Sequence, residues 1–319
     1  MSLINLAKNA GKIFGIRIGR TVPSLGNSLA KYEIKKDEYR FEGENIYFNK
    51  LNLTLPKSKA MPVLEAYESA TRLMTRPDVK FVKADDGSLL VKIGELQFRI
   101  NDQEELFILC EVFLEGSYNL ISPTSKKIAV IDIGMNVGIT SLFYASQSQV
   151  NQVFSFEPFT PTFNMAMENI RLNPGVAAKM HPNNFGLAKE KGSMQISYSV
   201  KQKGRMGLSG VPEQSTFITD KDVRMETIAL EPVKEQFAAI KEKTADHFVI
   251  CKMDCEGAEY ELIDSLFENS LLSLPDVYLI EWHEKPTDGI VDKLIKNNYN
   301  VLSTSFRSLI NGMIYAMKN

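Results

Sequence analysis

Two glycines and one acid suggest a nucleoside-binding site. Gly134 and Gly138 follow the apolar, β-branched run 130–133 and precede a helical pattern. A second apolar run, 153–156, ends in Glu157. A glycine turn after a first strand lets backbone approach a ligand closely, and an acid after the second strand can hold a ribose diol. These residues therefore predict the site of a nucleoside-containing cofactor.

Asp254, Glu256 and His283 are the candidates for proton transfer. The two acids stand where the apolar run 247–253 opens into a helical pattern, and His283 follows a later apolar run. An imidazole that is neutral near pH 7 is a good general base, and Glu281 is close enough in sequence to orient it. We therefore expect Asp254, Glu256 and His283 to be catalytic.

Structural explanations also exist for these residues. Carboxylates at a helix start are favoured by the helix dipole, so Asp254 and Glu256 can also serve as caps. A strand-end histidine is more often structural than catalytic, and we interpret His181 and His247 as structural. The two-residue spacing of the acids also suits a divalent metal. No obvious third ligand follows them in the sequence, and we predict no metal.

Four further residues can contact the rest of the cofactor. Asp132 and Asn136 are candidates to bind an ammonium group or to organise its water, although loop capping explains them too. Asn184 and Phe185 follow the predicted strand 177–182, where the base of the nucleoside lies in such an architecture. An amide can hydrogen-bond this ring and an aromatic side chain can lie against it. Turn chemistry explains Asn184 about as well.

The elements that must position these residues alternate between strand and helix from residue 126 onward. Apolar runs predict strands at 128–133, 152–156, 177–182, 247–253 and 277–281. Such alternation implies parallel strands with right-handed crossovers, and hence an α/β, doubly wound sheet. A helix is predicted at 288–297. The runs 299–303 and 313–317 that follow it are separated by a short connection, so they should pair as antiparallel strands. We therefore predict a core domain, 126–319, whose mostly parallel sheet ends in a hairpin.

Residues 1–125 are predicted to form an α+β extension. Residues 62–74 have helical periodicity, and the turn sequence 85–87 predicts a hairpin. The alternation at 97–100 adds a third strand, and Asp102 caps a following helix.

The first 36 residues carry seven Lys and Arg residues against one acid, with apolar residues at helical spacing. They predict a basic amphipathic helix. Such a helix either contacts a membrane surface or a partner, or packs on its own domain.

Composition limits the class of protein. Apolar residues make up 44% and charged residues 24% of the 319 residues, which is typical of a globular enzyme and not of a disordered chain. The net charge of −2 gives no electrostatic reason to expect nucleic acid as a partner. The three cysteines lie inside apolar segments, and neither a bilayer-spanning run nor a signal-peptide pattern is seen. We therefore expect reduced thiols and a cytoplasmic protein.

The glycine turn also discriminates between two cofactors. A nicotinamide dinucleotide site wants three glycines, the middle one so that bare backbone can lie against the pyrophosphate. Here Asn136 holds the middle place, and Ser141 stands three residues after Gly138. S-adenosylmethionine has no phosphate and benefits from polar side chains near its amino acid moiety. We therefore expect S-adenosylmethionine, with a nicotinamide-dependent dehydrogenase as the weaker alternative.

Four motifs together resemble those of a known family. They are the segments 131–138, 156–158, 252–259 and 280–283, preceded by a similar segment at 111–118. These segments resemble the motifs of the FkbM family of S-adenosylmethionine-dependent O-methyltransferases, and the likeness extends over about residues 105–319. It implies a class I methyltransferase fold, which is Rossmann-like with a seven-stranded sheet. Met135 and Cys255 depart from the alanine and valine that are usual in this family.

The resemblance implies methyl transfer to a hydroxyl group of a sugar, glycan or related metabolite. We expect the acceptor pocket to be built by residues 60–125 and by an insert at 198–220. Lys201 and Lys203 make this insert basic, which suits either a lid or a solvated surface loop. The alternative of another class is a cofactor-binding or assembly module that has lost catalysis. The oligomeric state does not follow from the sequence.

Overall fold

The computed structural model describes residues 25–119, 126–207, 210, 222–306 and 311–319. Most of the basic N-terminal segment lies outside the described residues, and so does much of the insert at 198–220. None of the helices within the described ranges is long and apolar enough to cross a membrane.

The described residues form sixteen β-strands, ten α-helices and three other short helical segments. The strands are β1 (Tyr39–Glu42), β2 (Asn45–Phe48), β3 (Leu53–Pro56), β4 (Val79–Lys83), β5 (Leu89–Ile93), β6 (Leu96–Ile100), β7 (Ile128–Ile133), β8 (Val150–Phe156), β9 (Met180–Asn183), β10 (Gly186–Ala188), β11 (Gly192–Tyr198), β12 (Arg224–Pro232), β13 (Phe248–Met253), β14 (Val277–His283), β15 (Tyr299–Ser303) and β16 (Asn311–Lys318). The α-helices are α1 (Leu25–Lys31), α2 (Met61–Glu65), α3 (Tyr67–Leu73), α4 (Gln103–Cys110), α5 (Ile139–Ser146), α6 (Thr160–Leu172), α7 (Pro174–Ala177), α8 (Val233–Lys243), α9 (Glu259–Glu268) and α10 (Asp288–Lys296). Short 3-10 helices span Lys57–Lys59 and Val200–Arg205, and a π-helix spans Glu111–Glu115.

A seven-stranded sheet forms the centre of the fold, in the order β15-β16-β14-β13-β7-β8-β9. The strands from β14 to β9 pair in parallel, whereas β16 is antiparallel to both β14 and β15. Along β7, Ile128 and Val130 belong to one hydrophobic cluster and Ala129 and Ile131 to another. Both faces of the strand are therefore covered, which is why it reads as a continuous apolar run. This arrangement confirms the doubly wound, mostly parallel sheet with a terminal hairpin.

Two elements differ from their predictions. The strand predicted at 177–182 begins only at Met180, because 174–177 forms α7 with Pro174 in its first turn. Proline is tolerated at this position, since the first N–H groups of a helix have no partner within it. The single helix predicted at 62–74 is divided into α2 and α3 at Ala66, whose φ of −126° is not helical. Both pieces still bury their apolar residues in the same core.

Two small antiparallel sheets make up much of the N-terminal part, with the orders β1-β2-β3 and β4-β5-β6. The second contains the predicted hairpin and the predicted third strand. Asp102 caps α4 through a capping box with Glu105, as its sequence position predicts.

The N-terminal part and the central sheet share one hydrophobic core. A continuous cluster of buried side chains includes Phe98 and Leu106 from the first 125 residues and Val130 and Leu142 from the rest. The side chain of Asn169 in α6 accepts a hydrogen bond from the backbone of β6. The division of the chain at residue 125 stays a prediction, and the two parts that it separates are packed as one unit.

A third small sheet, in the order β10-β12-β11, has no counterpart in the sequence patterns. In β11 the first four residues are exposed, so the strand lacks the apolar alternation that predicts a half-buried strand. This sheet matters because β12 supplies part of the wall of the functional cleft described next.

Candidate active site

A cleft opens at the carboxyl ends of β7, β8 and β13. It encloses about 670 Å³ of empty space, including its open mouth. Ligands of doubly wound folds bind at this edge, outside the carboxyl ends of the strands. Five of the predicted site residues line the cleft: Gly134, Asn136, Glu157, Asp254 and Glu256.

The glycine turn after β7 packs closely against its neighbours. Gly134 has a φ of 83°, and a Cβ atom at this position would lie 1.7 Å from the carbonyl oxygen of Asp254. Glycine meets both demands, because it tolerates positive φ and has no side chain. At Gly138, which also has a φ of 83°, a Cβ atom would lie 3.4 Å from that of Ala166 in α6. The glycines therefore bring the turn against the acid motif, which is residues 254–256 after β13, and against α6.

Glu157 lies at the end of β8 and faces the cleft. Its side chain accepts hydrogen bonds from the backbone N–H of Asn136 at 2.9 Å and of Phe159 at 3.0 Å. Burial raises the pKa of Glu157 to about 7, although these two N–H groups act in the opposite direction. Each carboxylate oxygen keeps a free lone pair. Glu157 can therefore accept hydrogen bonds from the two hydroxyl groups of a ribose, which is the role expected from its sequence position.

Asp132 is fully buried beneath the turn and does not line the cleft. Its carboxylate accepts a hydrogen bond from the hydroxyl of Ser141 and lies 3.2 Å from the Nζ of Lys252. Asn136 lines the cleft, and its Oδ1 accepts a bond from the N–H of Val137 at 2.7 Å. Of the two candidates for the ammonium group, only Asn136 therefore borders the ligand space.

Asn184 and Phe185 hold the loop after β9 and do not line the cleft. The Asn184 amide donates to the carbonyl of Glu157 at 2.9 Å, and Phe185 packs on Phe156 with ring centroids 5.6 Å apart. The apolar wall of the cleft is built by other side chains, namely Phe159, Leu187, Met206, Ile228 and Leu230. These residues come from loops and from the small third sheet, so the sequence patterns give no sign of them.

Lys252 is a functional candidate that the sequence reading missed. It is buried in β13, and its Nζ donates to the carbonyl of Gly134 at 2.7 Å and lies 3.5 Å from Asp254. Burial lowers the pKa of this lysine, but the charges of Asp132 and Asp254 outweigh burial and raise it overall. Its charge therefore connects the cofactor turn with the acid motif. The signal in the sequence that could have identified it is a lysine inside an otherwise apolar strand.

Acidic side chains from several elements surround His283. Its Nδ1 lies 3.1 Å from the buried carboxylate of Glu259, and its Nε2 lies 3.7 Å from Glu256 and 3.6 Å from Glu281. Behind this group, the hydroxyl of Tyr118 donates to Glu281 at 3.2 Å. The structure thus brings Glu256 and His283 together, as the sequence predicts, and adds Glu259 to them.

The charge state of His283 differs from its prediction. Burial lowers the pKa of the imidazole, but the hydrogen bonds to Glu259 and Glu281 and the charge of Glu256 outweigh burial and raise it to about 11. The expectation of an imidazole that is neutral near pH 7 is therefore wrong for this structure, because three carboxylates converge on the ring. Burial, followed by the charge of Asp254, raises the pKa of Glu256 to about 8.

Among the described residues, one group has the spacing of a metal site. Ligand atoms of Asp254, Glu256 and His283 all lie within 4.8 Å of one another. The sequence offered no third ligand to the two acids, and the structure supplies one in His283. The sequence argument against a metal, the lack of a third ligand, therefore no longer holds. The absence of a metal stays an untested prediction.

The backbone of the acid motif is itself unusual. Glu256 has a φ of 52°, which is left-handed, and Gly257 follows with a φ of 103°. Non-glycine residues seldom adopt this conformation, and such strain concentrates at functional sites. Glu256 lines the cleft together with Asp254.

Together these features define a class of protein. The apolar wall suits an adenine ring, the buried Glu157 suits a ribose, and the acid motif suits a positively charged sulfonium or ammonium group. The residues present therefore fit S-adenosylmethionine, and the sheet order with its terminal hairpin is that of a class I methyltransferase.

Comparison with known proteins names the family. The model of the methyltransferase FkbM domain matches residues 132–302, slightly more than half of the chain. The chain belongs to this family, and its cofactor is S-adenosylmethionine. The match confirms the resemblance of the motifs and removes the dehydrogenase alternative.

Similar proteins include two fungal methyltransferases. The chain is 21% identical to methyltransferase sdnD of Sordaria araneosa over 63% of this chain and 83% of that protein. It is 22% identical to methyltransferase 1 of Beauveria bassiana over 50% of this chain and 66% of that protein.

Among solved structures, the methyltransferase FkbM of Methylobacillus flagellatus KT is 15% identical, with a TM-score of 0.38. That comparison covers 64% of this chain and 46% of the other. Fibrillarin of Aeropyrum pernix, solved with S-adenosyl-L-methionine, is 12% identical with a TM-score of 0.39 and covers 75% and 94% of the two chains.

Proposed function

We propose that this chain is an S-adenosylmethionine-dependent O-methyltransferase that acts on a hydroxyl group of a sugar, glycan or related metabolite. The proposal rests on the position of Asp254, Glu256 and His283 beside the cofactor cleft. Asp254 and Glu256 line the cleft, and His283 is ion-paired with Glu256. A hydroxyl acceptor needs such groups, because its proton has to leave as the methyl group arrives.

The residues of the chain divide the work between orientation and proton removal. The bound cofactor supplies a methyl group on a sulfonium, which is already a good leaving group. Glu157 and Asn136 hold the cofactor at one end of the cleft. Asp254 holds the acceptor hydroxyl group at the other end. Orientation of this kind is a large part of the rate enhancement in displacement reactions.

We assign proton acceptance to Glu256 and a positioning role to His283. As the methyl group passes from the cofactor sulfur to the acceptor oxygen, with S-adenosylhomocysteine as the leaving group, the acceptor proton would pass to a carboxylate oxygen of Glu256. Burial, followed by the charge of Asp254, raises the pKa of Glu256 to about 8, so its ionised form is a stronger base than an ordinary glutamate and predominates above that pH. The protonated His283, held by Glu259, keeps the Glu256 carboxylate in place through its charge.

Substitutions at these two positions test the proposal. Glu256→Gln keeps the shape and removes the base, so turnover should fall about a hundredfold or more. His283→Ala should also cut turnover by orders of magnitude, while the affinity for S-adenosylhomocysteine stays nearly unchanged. His283→Lys should have a higher turnover than His283→Ala if the positive charge is what matters. It should be as slow as His283→Ala if a neutral imidazole is the base. His181→Ala is the control, since His181 stacks on Phe154 outside the cleft.

Formation of S-adenosylhomocysteine over a panel of hydroxyl-bearing sugars and glycans is the measurement. Wild-type turnover in Glu256→Gln would overturn its assignment as the proton acceptor. A wild-type chain that binds S-adenosylhomocysteine but methylates no member of the panel would favour the cofactor-binding module without catalysis.

A further inference from the structure

A short segment of the insert, residues 200–207, forms part of the wall of the cofactor cleft. Lys203, Gly204, Met206 and Gly207 all line this cleft. At Gly207 the backbone is so close to the acid motif that a Cβ atom would lie 2.2 Å from the carbonyl oxygen of Glu256. At Gly204 a Cβ atom would lie 3.5 Å from the side-chain amide of Asn136. The segment therefore contacts both the cofactor turn and the acid motif.

Lys203 anchors this segment to the N-terminal part of the chain. Its side chain is fully buried and is ion-paired with Asp102 and with Glu105, the latter at 3.1 Å. Beside it, the backbone N–H of Gly204 donates to Glu104 at 3.0 Å. Asp102 is the N-cap of α4, and Glu104 and Glu105 belong to its first turn. The prediction of a solvated loop is therefore wrong at Lys203, because these acids draw its ammonium group inward.

The neighbouring lysine of the same segment behaves differently. Lys201 is ion-paired with Asp222 at 2.8 Å, and more than half of its side chain is exposed. Removing a lysine from water is costly unless it is fully paired, so the burial of Lys203 needs a specific arrangement of acids. A buried pair of this kind contributes little net stability but fixes one arrangement of the chain.

We infer that Lys203 is a positioning residue that fastens residues 200–207 over the cofactor cleft through the carboxylates of α4. The N-terminal part of the chain thereby controls how fast the cofactor and its product enter and leave. Opening requires the segment to move away from Asn136 and Glu256. While the Lys203 pairs are intact, this movement would separate buried charges, so the closed arrangement is favoured.

The rate at which S-adenosylhomocysteine dissociates tests this inference without any knowledge of the acceptor. Lys203→Met should raise the dissociation rate at least about tenfold, as expected when a closing segment is released. Lys201→Met, two residues away at the surface, should change it less than about twofold. Stopped-flow displacement of the bound product measures both rates, and thermal melting shows whether each variant is folded.

A second variant covers the case in which Lys203→Met does not fold because Glu105 is left buried and unpaired. The double variant Lys203→Met with Glu105→Gln removes both charges, and glutamine still serves the capping box of α4. It should show the same faster dissociation. Hydrogen exchange of the free protein should also show less protection of the amides at 200–207 in both Lys203 variants.

The outcomes are distinguishable. A folded Lys203 variant that releases the product at the wild-type rate, with unchanged amide protection, overturns the inference. Equal acceleration in Lys201→Met and Lys203→Met also overturns it, because the burial of Lys203 would then be irrelevant. Faster release and lost protection in the Lys203 variants alone support it.

Discussion

Glu157 is the residue through which pH should act on cofactor binding. Burial raises its pKa to about 7, so that it changes charge in the neutral range. The ionised carboxylate accepts hydrogen bonds on both oxygens, whereas the protonated carboxyl has lost one of these positions. The affinity for S-adenosylhomocysteine should therefore be full above pH 7 and should fall as the pH drops below it.

Glu157→Gln should remove this dependence on pH. At about pH 8 it should bind S-adenosylhomocysteine roughly ten to a hundred times more weakly than the wild type, because a charged hydrogen-bond acceptor is lost. Titration calorimetry at several pH values compares the two proteins. Glu190→Gln, at an exposed glutamate, is the control and should bind as the wild type does. A wild-type affinity that is constant from about pH 6 to pH 8 would contradict the role of Glu157.

Some site residues follow from sequence spacing and others do not. Gly134, Glu157 and Asp254 come directly after predicted strands, and parallel strands bring their carboxyl ends to the same edge. Lys203 and Glu259 act through partners that are distant in sequence or on another element. Their roles become visible only when the fold places these partners beside them.

At the level of elements, the turn after β7 depends on the contact between Gly134 and the acid motif. Gly134→Ala puts a methyl group where the carbonyl oxygen of Asp254 lies, at a backbone φ of 83°. Positive φ alone costs roughly 1–2 kcal/mol for a residue with a side chain. The clash adds to this cost, because backbone rather than a flexible side chain must move.

We therefore expect Gly134→Ala to lower the melting temperature by more than about 4 °C and to abolish binding of S-adenosylhomocysteine. Calorimetry measures both quantities. Gly192→Ala in β11 is the matched control, since a Cβ atom there meets nothing within 4 Å. Native stability and binding in Gly134→Ala would show that the close approach is not needed.

The elements that the sequence predicts well are those buried on both faces. β7 and β13 read as continuous apolar runs and appear at nearly the predicted positions. The small third sheet escapes prediction because the start of β11 is exposed and its pattern carries no burial signal. The break between α2 and α3 escapes as well, since the apolar residues of both helices follow one periodicity.

On the scale of the whole molecule, polar side chains of the N-terminal part reach the candidate active site. Tyr118 donates a hydrogen bond to Asp254 at 3.4 Å, and Asp102 and Glu105 are ion-paired with Lys203 of the segment that borders the cleft. An N-terminal domain that packed separately could move without changing the contacts of these site residues. Here, loosening of α4 or of the chain around Tyr118 would remove contacts with residues 200–207 or with Asp254.

The hydrophobic cluster that the N-terminal part shares with one face of the central sheet predicts one cooperative unfolding transition. Phe98 of β6 is fully buried in the shared cluster, so Phe98→Ala should cost about 3–5 kcal/mol. The fluorescence of Trp282, the single tryptophan, reports on β14, and far-ultraviolet circular dichroism reports on the whole chain. Both midpoints should fall together in Phe98→Ala, and neither should move much in Phe107→Ala, whose side chain is exposed on α4. An unchanged Trp282 midpoint in Phe98→Ala would mean that the central sheet unfolds independently of the N-terminal part.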